Sequence, residues 1–99
     1  MSVYMIFRFD VTDLDKLRGY GAAVQPLLKR HQAEILVIDL EGKILEGDSQ
    51  LFTVVLKFAS EDLAMAFYDD PDYVPLKLVR AEATDNTSVI LCKSFVPPL

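Results

Sequence analysis

Cysteine and histidine are almost missing from this chain, tryptophan is absent, and no long apolar run occurs. The single cysteine, Cys92, excludes an internal disulfide and a cysteine-rich zinc site, and it suits a reducing compartment. No apolar stretch approaches the roughly 20 residues that span a bilayer. The first residues also lack the basic segment and apolar run of a signal peptide. We therefore expect a cytoplasmic protein without a membrane partner.

Basic residues are scarce as well. Ten Lys and Arg residues stand against fifteen Asp and Glu residues, which gives a net charge of -5. The basic residues are scattered along the chain, whereas a nucleic-acid surface needs them clustered. We therefore expect no nucleic-acid partner.

Length and composition predict one small domain with more apolar surface than it buries alone. The 99 residues correspond to a single domain, residues 1–99. The hydrophobic content of 52% and the mean hydropathy of +0.25 are high for a small soluble protein. We expect another chain to cover part of this surface.

Alternating apolar residues predict four strands. In the first strand, Val3 and Met5 share one face, whereas Tyr4 and Ile6 share the other. The strands are predicted at residues 3–9, 34–40, 51–58 and 87–95, with a short extended return at residues 43–47 and a turn at residues 85–86.

Helical spacing predicts the elements between the strands. Asp13 is a good N-cap for a helix over residues 14–31, and Pro26 predicts a kink within it. A second helix follows the N-cap Ser60, and a further helical piece is predicted at residues 75–83.

Taken in order, these elements give β-α-β-β-α-β, the ferredoxin-like arrangement of the α+β class, with a four-stranded antiparallel sheet and helices on one face. The uncovered face of such a sheet normally reads polar. Here it keeps Ile6 and Val55 together with either Val89 and Leu91 or Ile90. The pattern therefore predicts a homodimer in which a second copy packs sheet against sheet.

Short motifs along nearly the whole chain resemble one family in their order and spacing. The motifs are Val11-Thr12-Asp13, Tyr20, Pro26-Leu27-Leu28, His31, Glu46-Gly47-Asp48, Phe58-Ala59-Ser60, the run of residues 66–76, and Arg80. The chain resembles domain-of-unknown-function family thirteen-thirty, within the dimeric α/β-barrel superfamily. The resemblance implies this fold and a dimer in which two copies form an α/β barrel. It implies no particular reaction, although wider relatives include isomerases, small-molecule monooxygenases and haem-degrading enzymes.

The chain departs from the usual pattern of that family at three places. A tryptophan usually stands at Phe67, glycines at Gln32 and Ala33, and an aromatic residue at Ser49. The departures at residues 32–33 and at Ser49 alter loops that we expect to shape the mouth of a pocket. The position of that mouth depends on the loop of residues 41–50. We therefore expect the ligand of this chain to differ from that of its relatives.

His31 is the only histidine and the first candidate for proton transfer near neutral pH. Tyr20 precedes it by about three helical turns on the same side, roughly 16 Å away. We expect both to line a cleft without touching, with His31 as a catalytic base and Tyr20 or Arg8 orienting a substrate. The structural alternative is that His31 only ends the helix and meets solvent.

Charged residues elsewhere are further candidates for substrate binding. Arg8 and Lys57 lie on the sheet face away from the helices, where they meet either a ligand carboxylate or an acid of the partner chain. Glu46 and Asp48 flank a glycine, and they either bind a cation or act as a base, or else form a simple acidic turn. Two carboxylates and one distant histidine are too few for a metal site.

Tyr68, Tyr73 and Arg80 flank the joint between the second helix and the piece that follows it. Tyrosines suit either a substrate pocket or a subunit interface. Arg80 is predicted to form a salt bridge with one of the aspartates in residues 69–72. The chain has no Gly-rich phosphate loop, nucleophile elbow or redox cysteine pair, so no cofactor is predicted.

Two functions remain open from the sequence. The first is a cytoplasmic homodimer that binds or transforms a small organic molecule in a pocket between sheet and helices. If this protein is an enzyme, the expected reaction is a cofactor-free isomerisation or oxygenation. The alternative is a non-catalytic dimeric module whose polar residues are all structural.

Overall fold

The computed structural model of the protein describes residues 1–98. Its elements are β1 (Val3–Val11), α1 (Leu14–Arg30), β2 (Glu34–Asp39), β3 (Phe52–Phe58), α2 (Glu61–Tyr68), α3 (Val74–Ala83) and β4 (Thr84–Lys93). The four strands form one antiparallel sheet in the order β2-β3-β1-β4. The predicted ferredoxin-like α+β fold is thereby confirmed, with its second helix divided into α2 and α3.

The first helix begins where the sequence predicts. The Asp13 carboxylate accepts a hydrogen bond from the backbone N–H of Lys16 at 3.0 Å, which caps α1. The helix continues through Pro26 without interruption as far as Arg30. His31 follows as its C-cap. Packing of the apolar stripe of α1 on the sheet offsets the cost of an internal proline.

The joint between α2 and α3 is built around a proline. The side chain of Ser60 caps α2, as predicted, by accepting from Leu63 N–H. The helix ends before Pro71, since the residue preceding a proline disfavours helical geometry. Because Pro75 stands in the first turn of α3, where an N–H has no helical partner anyway, it starts that helix without loss.

Two local predictions are wrong. Residues 43–47 form no strand, and the predicted turn at residues 85–86 lies inside β4. Asn86 adopts a φ of +53°, which asparagine tolerates, and the β1–β4 register shifts between Arg8 and Asp10. This bulge absorbs the turn-forming residue, so the strand pairing extends past it to Thr84.

The sheet register shows which residues of β4 face the helices. Val89 pairs with Phe7 and Leu91 with Met5, so both lie on the helix-covered face. Ile90 pairs with Ile6 on the opposite face, where it is 57% exposed. Ile90 is thus the apolar residue of β4 on this face, which we call the open face. The helix-covered face holds the core.

No helix among residues 1–98 has the length and apolar character needed to cross a bilayer.

Candidate functional site

A cavity of about 230 Å³ lies between α1 and the sheet. Phe7, Phe9 and Ile38 line it from the sheet, and Tyr20, Gly21 and Val24 line it from α1. Most of its wall is apolar, while Arg18, Tyr20 and Gln25 supply the polar groups. Such a cavity, apolar with a few polar groups, is the usual form of a small-molecule site.

A pair of tyrosines stands at this cavity. The hydroxyl oxygens of Tyr20 and Tyr73 lie 2.6 Å apart, and one donates a hydrogen bond to the other. Tyr20 reaches the cavity wall, whereas Tyr73 is fully buried, with its ring centroid 4.6 Å from that of Phe67. Burial raises the pKa of both phenols above the ordinary value of 10.0. Both are therefore neutral hydrogen-bonding groups at physiological pH.

The prediction that Arg80 forms a salt bridge with an aspartate of residues 69–72 is wrong. Its guanidinium is buried, and its Cζ lies 5.3 Å from the centroid of the Phe7 ring. Neither its Nε nor its Nη1 has a hydrogen-bond acceptor among residues 1–98. Its positive charge lowers the pKa of Tyr20 and Tyr73, against the larger effect of burial, so it lies near the tyrosine pair.

Arg30 takes the place expected for Arg80. One of its terminal nitrogens, Nη1, lies 2.9 Å from the Asp70 carboxylate and 3.0 Å from that of Asp72. The sequence signal was present, because a basic residue in the last turn of α1 complements the helix dipole. What the sequence does not show is that the α2–α3 joint folds back onto this turn.

His31 pairs with Asp70 and does not line the cavity. Its Nε2 lies 2.7 Å from Oδ2 of Asp70, which is only 8% exposed. The hydrogen bond with His31 is the largest cause that lowers the pKa of Asp70 from 3.8 to about 2, followed by the bond from the backbone N–H of Asp72. The ring of His31 also meets Phe67 edge-on at 6.1 Å. The pair therefore fixes the end of α1 to the α2–α3 joint.

Tyr20 and His31, which are on one helix, do not touch each other. They contact instead two residues of the same joint, Tyr73 and Asp70. Phe67 lies between the two contacts, since its ring packs on Tyr73 and His31 and also lines the cavity. The structure thus connects Tyr20 and His31 through Phe67, which stood out in the sequence only because relatives usually have a tryptophan there.

The remaining predicted binding residues lie outside the cavity wall. Arg8 is on the open face, where it donates a hydrogen bond to the backbone oxygen of Gln50 at 3.0 Å. Asp48 and Glu46 are exposed in the loop between β2 and β3. Within residues 1–98, no three His, Cys, Asp or Glu side chains gather into a cluster able to hold a metal ion.

Tyr68 is part of the packing around the tyrosine pair. Its ring meets that of Tyr73 edge-on at 6.1 Å, and the ammonium of Lys77 lies 3.6 Å from its centroid. Tyr68 does not contribute to the cavity wall. It packs against Tyr73 without forming part of that wall.

Gly21 is a cavity residue that was not among the candidate site residues predicted from the sequence. A Cβ placed on it meets no atom within 4 Å. A glycine costs about 1 kcal/mol relative to alanine in a helix. Gly21 falls on the same stripe of α1 as the buried Leu17 and Val24. A destabilising glycine at such a position was the one sequence signal that space is left beside the helix.

Comparison with known proteins supports the fold. Residues 2–94 match the model of a family described as domain of unknown function (DUF1330). The structure resembles RPA0582, a protein of unknown function from Rhodopseudomonas palustris, with a TM-score of 0.80, 15% identity and coverage of 97% of this chain and 84% of that one. No curated protein matches the chain in sequence.

Two further solved structures are similar. A dimeric ferredoxin-like protein of unknown function from Jannaschia sp. has a TM-score of 0.77 and 8% identity, with 95% of this chain and 100% of that chain covered. SnoaB, a cofactor-independent oxygenase from Streptomyces nogalater, has a TM-score of 0.69 and 12% identity, with 97% and 95% covered. At these identities the likeness shows the fold alone.

Proposed function

The chain belongs to the DUF1330 family, whose description names no reaction, and we propose from its site that it is a cytoplasmic homodimer that binds a small organic molecule between α1 and the sheet. The cavity is the observation that carries this proposal. Its volume of about 230 Å³ exceeds the roughly 150 Å³ that accommodates benzene in an apolar protein cavity. A substituted aromatic ring is therefore a ligand of suitable size.

The site accommodates a ligand with an apolar body and one polar end. Phe7, Phe9 and Val24 offer apolar contact, whereas Tyr20 is a wall residue that carries a hydroxyl group. A few polar groups in an apolar wall fix the orientation of a ligand and disfavour ligands without matching groups.

Turnover, if present, is proposed to be a cofactor-free oxygenation or isomerisation. The fold shared with SnoaB, a cofactor-independent oxygenase, supports testing this reaction class first. His31 is kept as the proposed base, with Asp70 holding its ring at 2.7 Å. Because His31 lies outside the cavity wall, this role requires a substrate that extends past Phe67 toward it. His31→Gln is expected to abolish turnover, and retained indole binding by this variant is the evidence that it is folded. Undiminished turnover in that variant removes His31 from the mechanism.

Indole binding tests the cavity directly. Because the chain has no tryptophan, indole fluorescence reports the ligand without interference from the protein. Gly21→Leu extends a side chain from the cavity wall and is expected to abolish binding. Gly19→Leu is the matched control, because Gly19 is on the same helix, has the same free space and does not line the cavity. Equal binding by both variants contradicts the proposed site.

The open face supports the homodimer. Ile6, Val55 and Ile90 form apolar surface there, which a second copy of the same sheet covers in a sheet-on-sheet interface. The Jannaschia protein of similar fold is itself described as dimeric. Dimerisation also reduces the exposed apolar area that the composition of the chain predicts.

A second candidate function is a non-catalytic dimeric module. It is favoured by one observation, that Arg30, His31, Asp70 and Asp72 satisfy one another and leave no free catalytic group in that cluster. In this module, indole does not bind, and variants of the cluster change only stability. The indole titration therefore separates the two functions.

A further inference from the structure

Arg80 is the charged group of the described chain that the fold itself does not explain. It is only 7% exposed, and its Nε and Nη1 have no acceptor among residues 1–98. Burying a charge without a partner is unfavourable, so buried charges are normally paired or hydrogen-bonded. The Phe7 ring, 5.3 Å from the guanidinium carbon, offers a cation–π contact but no hydrogen-bond acceptor.

Asp70, the buried acid nearest to Arg80 in the sequence, already has other partners. Asp70 is held by His31 and Arg30, and Glu82 pairs with Lys16 at 2.9 Å. Among residues 1–98, Arg80 forms no salt bridge with any carboxylate. The counter-charge of Arg80 is therefore absent from the described part of the chain.

The surroundings of Arg80 lead to the cavity. Phe7, whose ring centroid lies 5.3 Å from the guanidinium carbon, is part of the cavity wall, and so is Tyr20. Tyr73, which is bonded to Tyr20, is fully buried and does not reach the cavity. Arg80 also lies outside the wall, so it acts on the cavity through its charge, across Phe7 and the tyrosine pair.

We propose that the wall at Tyr20 is a subsite for an anionic oxygen of the ligand, a carboxylate or a phenolate, with Arg80 supplying the compensating charge. This inference rests on the proposed small-molecule function and names its ligand class. Tyr20 donates its hydrogen bond to the ligand oxygen, and Tyr73 donates to Tyr20. Arg80 stabilises the anion electrostatically. Tyr20 is the binding residue; Tyr73 and Arg80 are positioning residues.

Benzoate and its neutral isostere benzamide test the charge preference. The wild-type protein is expected to bind benzoate about tenfold more tightly, because a hydrogen bond to a charged group is stronger than one to a neutral group. Isothermal titration calorimetry measures both affinities. For the phenolate class, 4-nitrophenol is expected to bind in its ionised form, which its visible absorption reports directly.

Isosteric variants separate the subsite from a structural role. Tyr20→Phe and Tyr73→Phe are each expected to remove the preference for benzoate, although Tyr73 does not touch the ligand. Arg80→Met is expected to remove it too, and Arg80→Lys to restore most of it by retaining the charge. Tyr68→Phe is the control, because Tyr68 packs on Tyr73 outside the cavity, and the preference is expected to survive in it. A structural role alone changes stability without changing the ratio of the two affinities.

The outcomes distinguish this inference from the proposed function. If indole binds but benzoate binds no better than benzamide, the subsite is wrong and the cavity stands. The same conclusion holds if the preference for benzoate survives in Tyr73→Phe and Arg80→Met. If none of the three compounds binds, the small-molecule function fails and the subsite fails with it.

Discussion

The hydroxyl oxygens of Tyr20 and Tyr73 lie 2.6 Å apart, although one residue belongs to α1 and the other to the α2–α3 joint. This contact joins the two helical parts of the domain on the covered side of the sheet. It also connects a cavity wall to a fully buried side chain. The pair therefore contributes both to the stability of the fold and to the proposed site.

A double-mutant cycle on this pair is expected to show strong coupling. Tyr20→Phe leaves the buried Tyr73 hydroxyl without a partner, which costs about 1–3 kcal/mol of unfolding free energy. Adding Tyr73→Phe removes the unsatisfied group, so the double variant is expected to be no less stable than Tyr20→Phe alone. Urea unfolding measures all four proteins. Simple additivity of the two losses contradicts the hydrogen bond.

Alkaline solution is expected to destabilise the protein through the same pair. Burial raises the pKa of Tyr20 and Tyr73 above 10.0 in the folded state, whereas in the unfolded chain they ionise near that value. Their contribution is therefore present below pH 10 and is lost as the pH rises above it. Above pH 10, the melting temperature is expected to fall less steeply with rising pH in the Tyr20→Phe, Tyr73→Phe double variant than in the wild type. Tyr4→Phe, on the open face of the sheet and away from the pair, is the control.

Acid solution acts on a different contact. His31, Asp72 N–H and Arg30 lower the pKa of Asp70 to about 2, against 3.8 in an unfolded chain. Since the folded state holds the ionised form, the stabilisation is present above about pH 4 and is lost as the pH falls toward 2. Asp70→Asn is expected to be less stable at neutral pH and to show a flatter acid profile by urea unfolding. A variant with the wild-type slope contradicts the role of Asp70, and Asp69→Asn, exposed beside it, is the control.

The sequence was sufficient for most of the fold because its elements carry local signals. Alternation in residues 3–9 defines β1, and the N-caps Asp13 and Ser60 mark where two helices begin. The face of Ile90 was not predictable, since residues 87–95 are apolar on both sides. Only pairing with Ile6 in β1 determines it, and strand pairing is a long-range property.

The candidate site was less predictable for a related reason. Arg80 has three aspartates within eleven positions along the chain, and proximity in sequence suggested a salt bridge. The structure gives Asp70 and Asp72 to Arg30, and Asp70 also to His31. Arg30 is 40 residues from Asp70 in the sequence, and His31 is 39. Which cation reaches an acid is set by how α1 packs against the joint, and no local pattern encodes that packing.

The open face provides the last prediction. Ile90→Glu places two carboxylates in the proposed interface, one from each copy, and removes two apolar contacts. Each buried unpaired charge costs several kcal/mol, so the dissociation constant of the dimer is expected to rise at least about 100-fold. Leu78→Glu is the matched control, because Leu78 is 62% exposed on α3, against 57% for Ile90, and lies away from the sheet. Sedimentation velocity is expected to show a dimer for the wild type and for Leu78→Glu, and a monomer for Ile90→Glu.

A wild-type monomer, or an unchanged dimer in Ile90→Glu, means that the second copy does not cover this face. In either case the open face needs a different partner, while the cavity beneath α1, which lies on the other side of the sheet, is unaffected.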